Sequence, residues 1–140
     1  MNFELLQKKF NDDPRLFQLA DRLSFAQKQR IYLKNLQGSS SQFAAAAAFN
    51  HPSLEQLNHL FVVNDAEEAA YFHNSLESIT NELNLFYFPS SFKHPKNFRL
   101  LNSSHVMLRT EALTKFSMPT GQRVGAIVTY PDALFEKVVL

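Results

Sequence analysis

A serine-rich turn at residues 38–42 contains the residue types in this sequence that could do chemistry. It reads Gly38-Ser39-Ser40-Ser41-Gln42 and lies between the strand-like run RIYLKNL and a run of five alanines close behind it. The apolar run predicts a strand over 30–36. The alanines predict a helix over about 42–50, because alanine has the highest helix propensity. A strand, a turn and a helix in this order form the framework of a phosphate-binding loop.

The positions that hold nucleotide phosphates in such a loop are all substituted here. In G-x-x-x-x-G-K-[ST] the glycines let the backbone surround the phosphates, the lysine neutralises them and the hydroxyl binds magnesium. When Gly38 is placed between the two glycine positions, Asn35 and Ser40 replace the glycines. Ser41 then replaces the lysine and Gln42 the hydroxyl residue. We therefore interpret residues 38–42 as a degenerate remnant of a phosphate loop that binds no cofactor.

A serine nucleophile in the same turn is the alternative interpretation. The motif G-x-S-x-G holds a nucleophile on a strained strand-to-helix turn, and residues 38–42 retain only its first glycine. Any of the five histidines could act as the base and Asp132 could orient it. Since serine hydroxyls commonly satisfy the donors at helix ends, we predict no catalytic residue. A small α/β serine hydrolase that uses Ser39, Ser40 or Ser41 stays open as the alternative.

Composition and charge narrow the function classes further. The chain of 140 residues has 45% hydrophobic and 19% charged residues, which is typical of one globular domain. Its formal charge of +1 predicts no general attraction to nucleic acid, so such a contact would need a local patch. There is no cysteine, and the histidines lack H-E-x-x-H spacing, so we predict no metal site. No apolar run is long enough to span a bilayer, so we predict no membrane contact.

The remaining pattern predicts alternating helices and strands. Two short helices are expected in FELLQKKF and PRLFQLADRL, the second capped by Asp13. Strands are expected at 60–64, 84–89 and 123–130. Helices are expected at 66–83, at 105–116 after a Ser103 or Ser104 cap, and from Pro131. Asp65 and Glu68 form a capping box for the helix at 66–83. We predict an α/β fold in which helices cover both faces of a parallel sheet.

Residues 90–104 read as an irregular connection that interleaves aromatic and basic residues. Cations between aromatic side chains can bind a phosphate backbone while the rings stack on bases. Lys93, Lys96 and Arg99 are therefore a possible weak nucleic-acid patch. The favoured interpretation is a solvated loop, because phosphate binding needs clustered cations.

The order and spacing of four segments resemble a known family. LKNLQGSSSQFAAAAAF, LFVVNDAEEAAYFHNSL, LFYFPSS and RVGAIVTYPDALFEKVV are similar to the N-terminal UvrB-like domain of bacterial transcription-repair coupling factors (Mfd). The resemblance implies a P-loop-type α/β fold with a degenerate nucleotide site at residues 38–42. It also implies a fragment of a longer protein, with the UvrB-like domain over 31–140. The resemblance does not cover residues 1–30, whose two predicted helices we expect to form an N-terminal helical extension.

The same resemblance implies what the segment does. It would be a non-catalytic module that supports recruitment of nucleotide-excision repair to stalled RNA polymerase and intramolecular regulation of a DNA translocase. Its partners would be other domains of the same polypeptide, and the repair protein UvrA through the adjacent domain. RNA polymerase, DNA, ATP and magnesium would bind elsewhere in the parent protein. The expected compartment is the bacterial cytoplasm.

Overall fold

The computed structural model describes residues 3–25, 27–80, 84–94, 97–119 and 121–137; within these ranges, the side chains of residues 3, 93, 94 and 97–99 are not described. The described chain divides into two compact units. Unit 1 contains the residues up to Leu57 and the end of the fourth helix from Ser75. Unit 2 contains Asn58–Asn74 and the chain from residue 84 onward. The division predicted after residue 30 stays a prediction.

Unit 1 is built around three helices, α1 (Phe3–Asn11), α2 (Pro14–Leu23) and α3 (Ser40–Asn50), followed by a 3₁₀ turn at Pro52–Leu54. The two short N-terminal helices are confirmed. Asp13 caps α2 as predicted, because its carboxylate accepts a hydrogen bond of 2.8 Å from the main-chain nitrogen of Arg15.

The core of unit 1 depends on small side chains. Ala20 of α2, Ala48 of α3 and Leu54 form one buried cluster. The rings of Phe10 and Phe43 stack at 5.3 Å between centroids, which packs α1 against α3. The alanine run of α3 is almost entirely buried, since it has no long side chain to hold the neighbouring helices away.

The strand predicted over 30–36 is wrong. These residues carry neither helix nor strand, and Asn35 has a positive φ of 64°, which interrupts an extended run. The apolar residues that suggested a strand, Tyr32, Leu33 and Leu36, are exposed. The turn at Gly38 is confirmed, with a φ of 56°, and α3 begins at Ser40, slightly earlier than predicted.

Unit 2 contains a three-stranded parallel sheet in the order β1-β5-β2. Its strands are β1 (His59–Val62), β2 (Leu85–Tyr87) and β5 (Ala126–Thr129). The helices are α4 (Ala66–Thr80), α5 (Ser103–Ser117) and α6 (Pro131–Leu134), of which α4 continues into unit 1. The α/β class and the parallel strands predicted near 60, 85 and 126 are therefore confirmed.

Helices pack on both faces of this sheet. Phe61 of β1 contacts Phe72 of α4 at 5.5 Å between ring centroids, and Phe86 of β2 contacts Phe116 of α5 at 5.6 Å. In the register of the sheet, Phe61 lies beside Val128 of β5. Phe86 lies beside Ile127, which is the residue before Val128 on the same strand. Because side chains alternate along a strand, the two phenylalanines lie on opposite faces.

The irregular connection predicted for residues 90–104 is also wrong. It contains an antiparallel hairpin of β3 (Phe92–His94) and β4 (Asn97–Leu101), in which Phe92 pairs with Leu101. The strands are short, and the register shifts between Phe92 and His94. This shift interrupts the alternation of side chains between the two faces, so the sequence shows no regular strand pattern here. The cap of α5 is Asn102 rather than either serine, and its side chain accepts a hydrogen bond from the main-chain nitrogen of His105.

Candidate functional site

Residues 38–42, predicted as a degenerate phosphate loop, form the start of α3 with no strand before them, and the hydroxyls of Ser40 and Ser41 bond to nearby residues. Ser39 stands at the N-cap position without a side-chain capping bond. Ser40 Oγ donates to the main-chain oxygen of Gln37 at 2.6 Å, and Ser41 Oγ donates to Gln42 Oε1 at 2.9 Å. The Gln42 side chain is turned inward, since the residue is only 7% exposed.

Within the described chain, no histidine bonds to any of these three serines. A serine needs a base within hydrogen-bond reach to become a nucleophile. The structure therefore brings the predicted residues of the turn together, but it does not join them to the base that the hydrolase alternative requires.

A second group of polar residues lies at the carboxyl ends of β2 and β5, where α/β proteins commonly bind ligands. The chain leaves β2 through a turn at Pro89, and it leaves β5 directly into α6. Side chains from this turn, from α5 and from the segment around α6 meet there. We call this group the strand-end cluster, and it comprises Ser90, Ser91, His105, Arg109, Tyr130 and Glu136.

Arg109 is the centre of the strand-end cluster. Its side chain is 5% exposed, and Nη1 donates to the main-chain oxygens of Pro89 at 2.9 Å and Ala133 at 3.0 Å. The guanidinium carbon lies 4.1 Å from the ring centroid of Phe88, and Nε lies 3.5 Å from Glu136 Oε1. Burial lowers the pKa of Arg109, while Glu136 opposes this shift. The guanidinium thus joins the turn after β2 to α6.

Glu136 completes this connection from the other side. Its carboxylate accepts hydrogen bonds from Ser90 Oγ at 2.9 Å and from the main-chain nitrogen of Ser91 at 3.0 Å. The pKa of Glu136 is lowered: burial alone would raise it, but these bonds and the nearby Arg109 together outweigh that effect. The carboxylate is therefore held in its charged form by groups of the same unit.

Tyr130 and His105 contact the main chain of Ser90, and Tyr87 lies close to both of these side chains. The main-chain nitrogen of Ser90 donates to the Tyr130 hydroxyl at 2.7 Å, and its carbonyl oxygen lies 3.0 Å from His105 Nδ1. Burial raises the pKa of Tyr130. Burial, together with a hydrogen bond to Tyr130, raises the pKa of Tyr87 to about 12. Both hydroxyls are thus neutral at ordinary pH.

The polar groups of the strand-end cluster bond mainly to one another and to the main chain. Ser90 Oγ donates to a carboxylate, which does not accept its proton at neutral pH, and it accepts from the main-chain nitrogen of Phe92 at 3.3 Å. The acceptors of Glu136 are occupied by Ser90, Ser91 and Arg109. Arg109 Nη2 has no hydrogen-bond partner among the described residues. Most of these hydrogen bonds are made to main-chain atoms. We therefore infer that the cluster holds the turn after β2 against α6.

Sequence analysis missed this cluster, although one signal was present. Arg109 lies on the inward face of α5 with Ala112, which is fully buried, and Phe116, which contacts the sheet. A charged residue on the apolar stripe of a helix needs a buried partner, so it could have been singled out. The partner itself, Glu136, could not have been identified from spacing along the chain.

The predicted nucleic-acid patch is not tested by the structure. Lys96 lies outside the described residues, and Lys93 and Arg99 lie on β3 and β4 at positions whose side chains are not described.

Over the described part of the chain, no group of three or more histidine, aspartate or glutamate residues could hold a metal ion. No helix within that part is long and apolar enough to cross a membrane.

Comparison with known proteins identifies no relative of this chain. No protein-family model, no curated protein and no solved structure matches this chain significantly.

Proposed function

We propose that this chain is a catalytically silent, P-loop-type module of a bacterial transcription-repair coupling factor. In this role it supports recruitment of UvrA and excision repair to stalled RNA polymerase, and it takes part in intramolecular regulation of the translocase. The main support is the order and spacing of the four sequence segments that resemble this family. The turn at the start of α3 lacks the residues of a working phosphate loop, and Ser40 and Ser41 bond to Gln37 and Gln42 there.

The parallel sheet of unit 2 supports the same proposal. In a nucleotide-binding α/β protein the carboxyl ends of the strands face the ligand. Here Arg109 and Glu136 lie at the ends of β2 and β5 and bond to the main chain there. Charged side chains that already bond to their own fold at this edge suit a module that packs against other domains.

Nucleotide binding is the first test. Isothermal titration calorimetry with ATP or ADP and magnesium should show no binding at micromolar concentrations, since no lysine stands at the phosphate position. The triple variant Ser40→Gly, Ser41→Lys, Gln42→Thr should recover little or no binding, because contacts to the base and ribose would also be needed. Low-micromolar binding by the natural chain would refute the silent module.

The coupling role is tested in the cell. Removal of the codons for residues 31–140 from the gene that encodes this chain should abolish the faster repair of transcribed strands. Repair of non-transcribed strands should persist. Strand-specific lesion mapping after ultraviolet irradiation measures both. Unchanged preference for the transcribed strand, with the truncated protein present at normal level, would contradict the proposal.

The hydrolase alternative has a direct test of its own. A fluorophosphonate probe should leave the chain unlabelled, because neither Ser40 nor Ser41 has a histidine partner among the described residues. Labelling that disappears in Ser40→Ala or Ser41→Ala would instead favour the hydrolase.

A further inference from the structure

The connection between α2 and α3 is basic and carries exposed aromatic rings. No aspartate or glutamate occurs between Asp21 and Glu55, whereas four cations lie between Arg22 and Lys34. We call residues 22–34 the basic segment. None of its four cations has an ion pair within the part of the chain that the structure describes: Arg22, Lys28, Arg30 and Lys34.

The spacing of these residues suits an extended ligand. Lys28, Arg30, Tyr32 and Lys34 alternate along a stretch that has neither helix nor strand, and all four are exposed. Ile31, between two of them, is half-buried. The three cations and the ring are thus open to solvent within seven consecutive residues, so they can contact one ligand together.

A contact within unit 1 brings the fourth cation close to the other three. The side chain of Gln29 donates to the main-chain oxygen of Arg22 at the end of α2. Gln29 therefore lies beside the last turn of α2. Phe25 follows the end of this helix and is 57% exposed, and Tyr32 is 76% exposed. Large rings left this open on a charged surface are available for stacking.

We propose that the basic segment binds single-stranded nucleic acid. The cations contact the phosphates, and Tyr32 and Phe25 stack on bases, which is how single strands are bound without sequence preference. An acidic protein surface would use the cations but would gain little from the rings. This proposal does not depend on the role in repair, and it concerns residues other than Lys93, Lys96 and Arg99.

The test is fluorescence anisotropy with a labelled twenty-nucleotide oligo(dT) at several salt concentrations. Four phosphate contacts predict that log K falls with log salt at a slope of about −3. Replacement of Lys28, Arg30 and Lys34 by glutamine should reduce the slope to about −1 and weaken binding at least ten-fold at low salt. Tyr32→Ala should weaken binding about ten-fold while it leaves the slope unchanged.

Matched controls separate this surface from general charge. Glutamine at Lys8, Lys9 and Lys115 removes the same charge from exposed helical positions and should leave binding nearly unchanged. Tyr71→Ala removes another exposed ring, 60% exposed, and should have no effect. Circular dichroism confirms that each variant is folded.

Several results would overturn the proposal. They are absence of binding at low salt, equal losses in the basic-segment and control variants, or no effect of Tyr32→Ala. Competition by polyglutamate as strong as that by oligo(dT) would show that charge alone is recognised. Equally tight binding to a duplex of the same length would show that exposed bases are not needed.

Discussion

Gly125 illustrates how one residue can determine whether the sheet forms. It precedes β5 with a φ of 156°, and a Cβ added there would collide with the main-chain oxygen of Asn84. That oxygen accepts a hydrogen bond of 3.0 Å from the main-chain nitrogen of Ala126, so it cannot move without loss of the bond. Asn58 Oδ1 accepts from the nitrogens of Val124 and Gly125, which fixes the same turn from the other side.

We expect Gly125→Ala to lower the free energy of unfolding by about 2 kcal/mol or more, because strain and a backbone collision act together. Gly121→Ala is the control: its φ of 65° is also positive, but a Cβ there would meet open space. That change should cost only about 1 kcal/mol. Urea denaturation measures both, and equal losses would show that the collision at Gly125 is relieved.

Arg109 is the second residue whose replacement should be costly. Lysine keeps the charge, but its single nitrogen cannot reproduce the planar group that bonds two carbonyls and stacks on Phe88. We expect Arg109→Lys to destabilise the chain by about 2–3 kcal/mol, because Glu136 loses part of its partner in a buried place.

The control for Arg109→Lys is Arg15→Lys. Arg15 pairs with Asp13 at 2.7 Å, but its side chain is 87% exposed, so the change should leave the free energy of unfolding nearly unchanged. Chemical denaturation followed by circular dichroism gives both values. Similar losses in the two variants would mean that the strand-end cluster contributes nothing beyond an ordinary surface pair.

Among the elements, α4 has the most complete start signal. Asp65 Oδ1 accepts from the main-chain nitrogen of Glu68 at 2.8 Å, and Glu68 Oε2 accepts from the main-chain nitrogen of Asn64 at 3.2 Å. The predicted cap by Asp65 is confirmed, whereas the reciprocal bond of Glu68 goes to Asn64, one residue before the N-cap. These two bonds satisfy two donors that would otherwise lack partners near the helix start.

Asp65→Ala should therefore destabilise the chain by about 1 kcal/mol. Glu67→Ala removes a carboxylate that interacts with the helix dipole in the same first turn. This change should lower the free energy of unfolding by only a few tenths of the amount expected for Asp65→Ala. Thermal denaturation of the two variants separates the hydrogen bond from the charge. If both melt at the same temperature, the capping bond makes no net contribution.

The elements also show where sequence patterns succeed. The positions of α1, α2 and α4 follow from helical periodicity and local caps, which act over a few residues and are visible in the chain itself. The stretch 30–36 has strand-like composition but forms no strand, because a strand needs a partner and composition does not show one. For the same reason the β3–β4 hairpin was missed.

Across the whole molecule, stability should depend on pH through His59. Burial, and to a smaller extent the charge of Arg123, lower the pKa of His59 from 6.5 to about 4. The unfolded chain therefore binds a proton at His59 more readily than the folded chain does. The stability that this residue contributes is complete above pH 6.5 and is lost as the pH falls from there to about 4.

The loss between pH 7 and pH 4.5 should be about 1–2 kcal/mol once solvent screening is allowed for. Urea denaturation at a series of pH values measures it, and His59→Gln should remove much of the slope over this range. Nuclear magnetic resonance of the His59 ring should show its titration midpoint near 4. A midpoint near 6.5 would contradict the argument.

The sequence by itself determined the α/β class, most helices, and the capping of α2 and α4. Each depends on residue type, local spacing or periodicity, which act between near neighbours in the chain. Only the tertiary structure decided the order β1-β5-β2 and the meeting of Arg109 with Glu136. These depend on contacts between residues far apart in sequence, whose free energy is realised only when distant segments pack together.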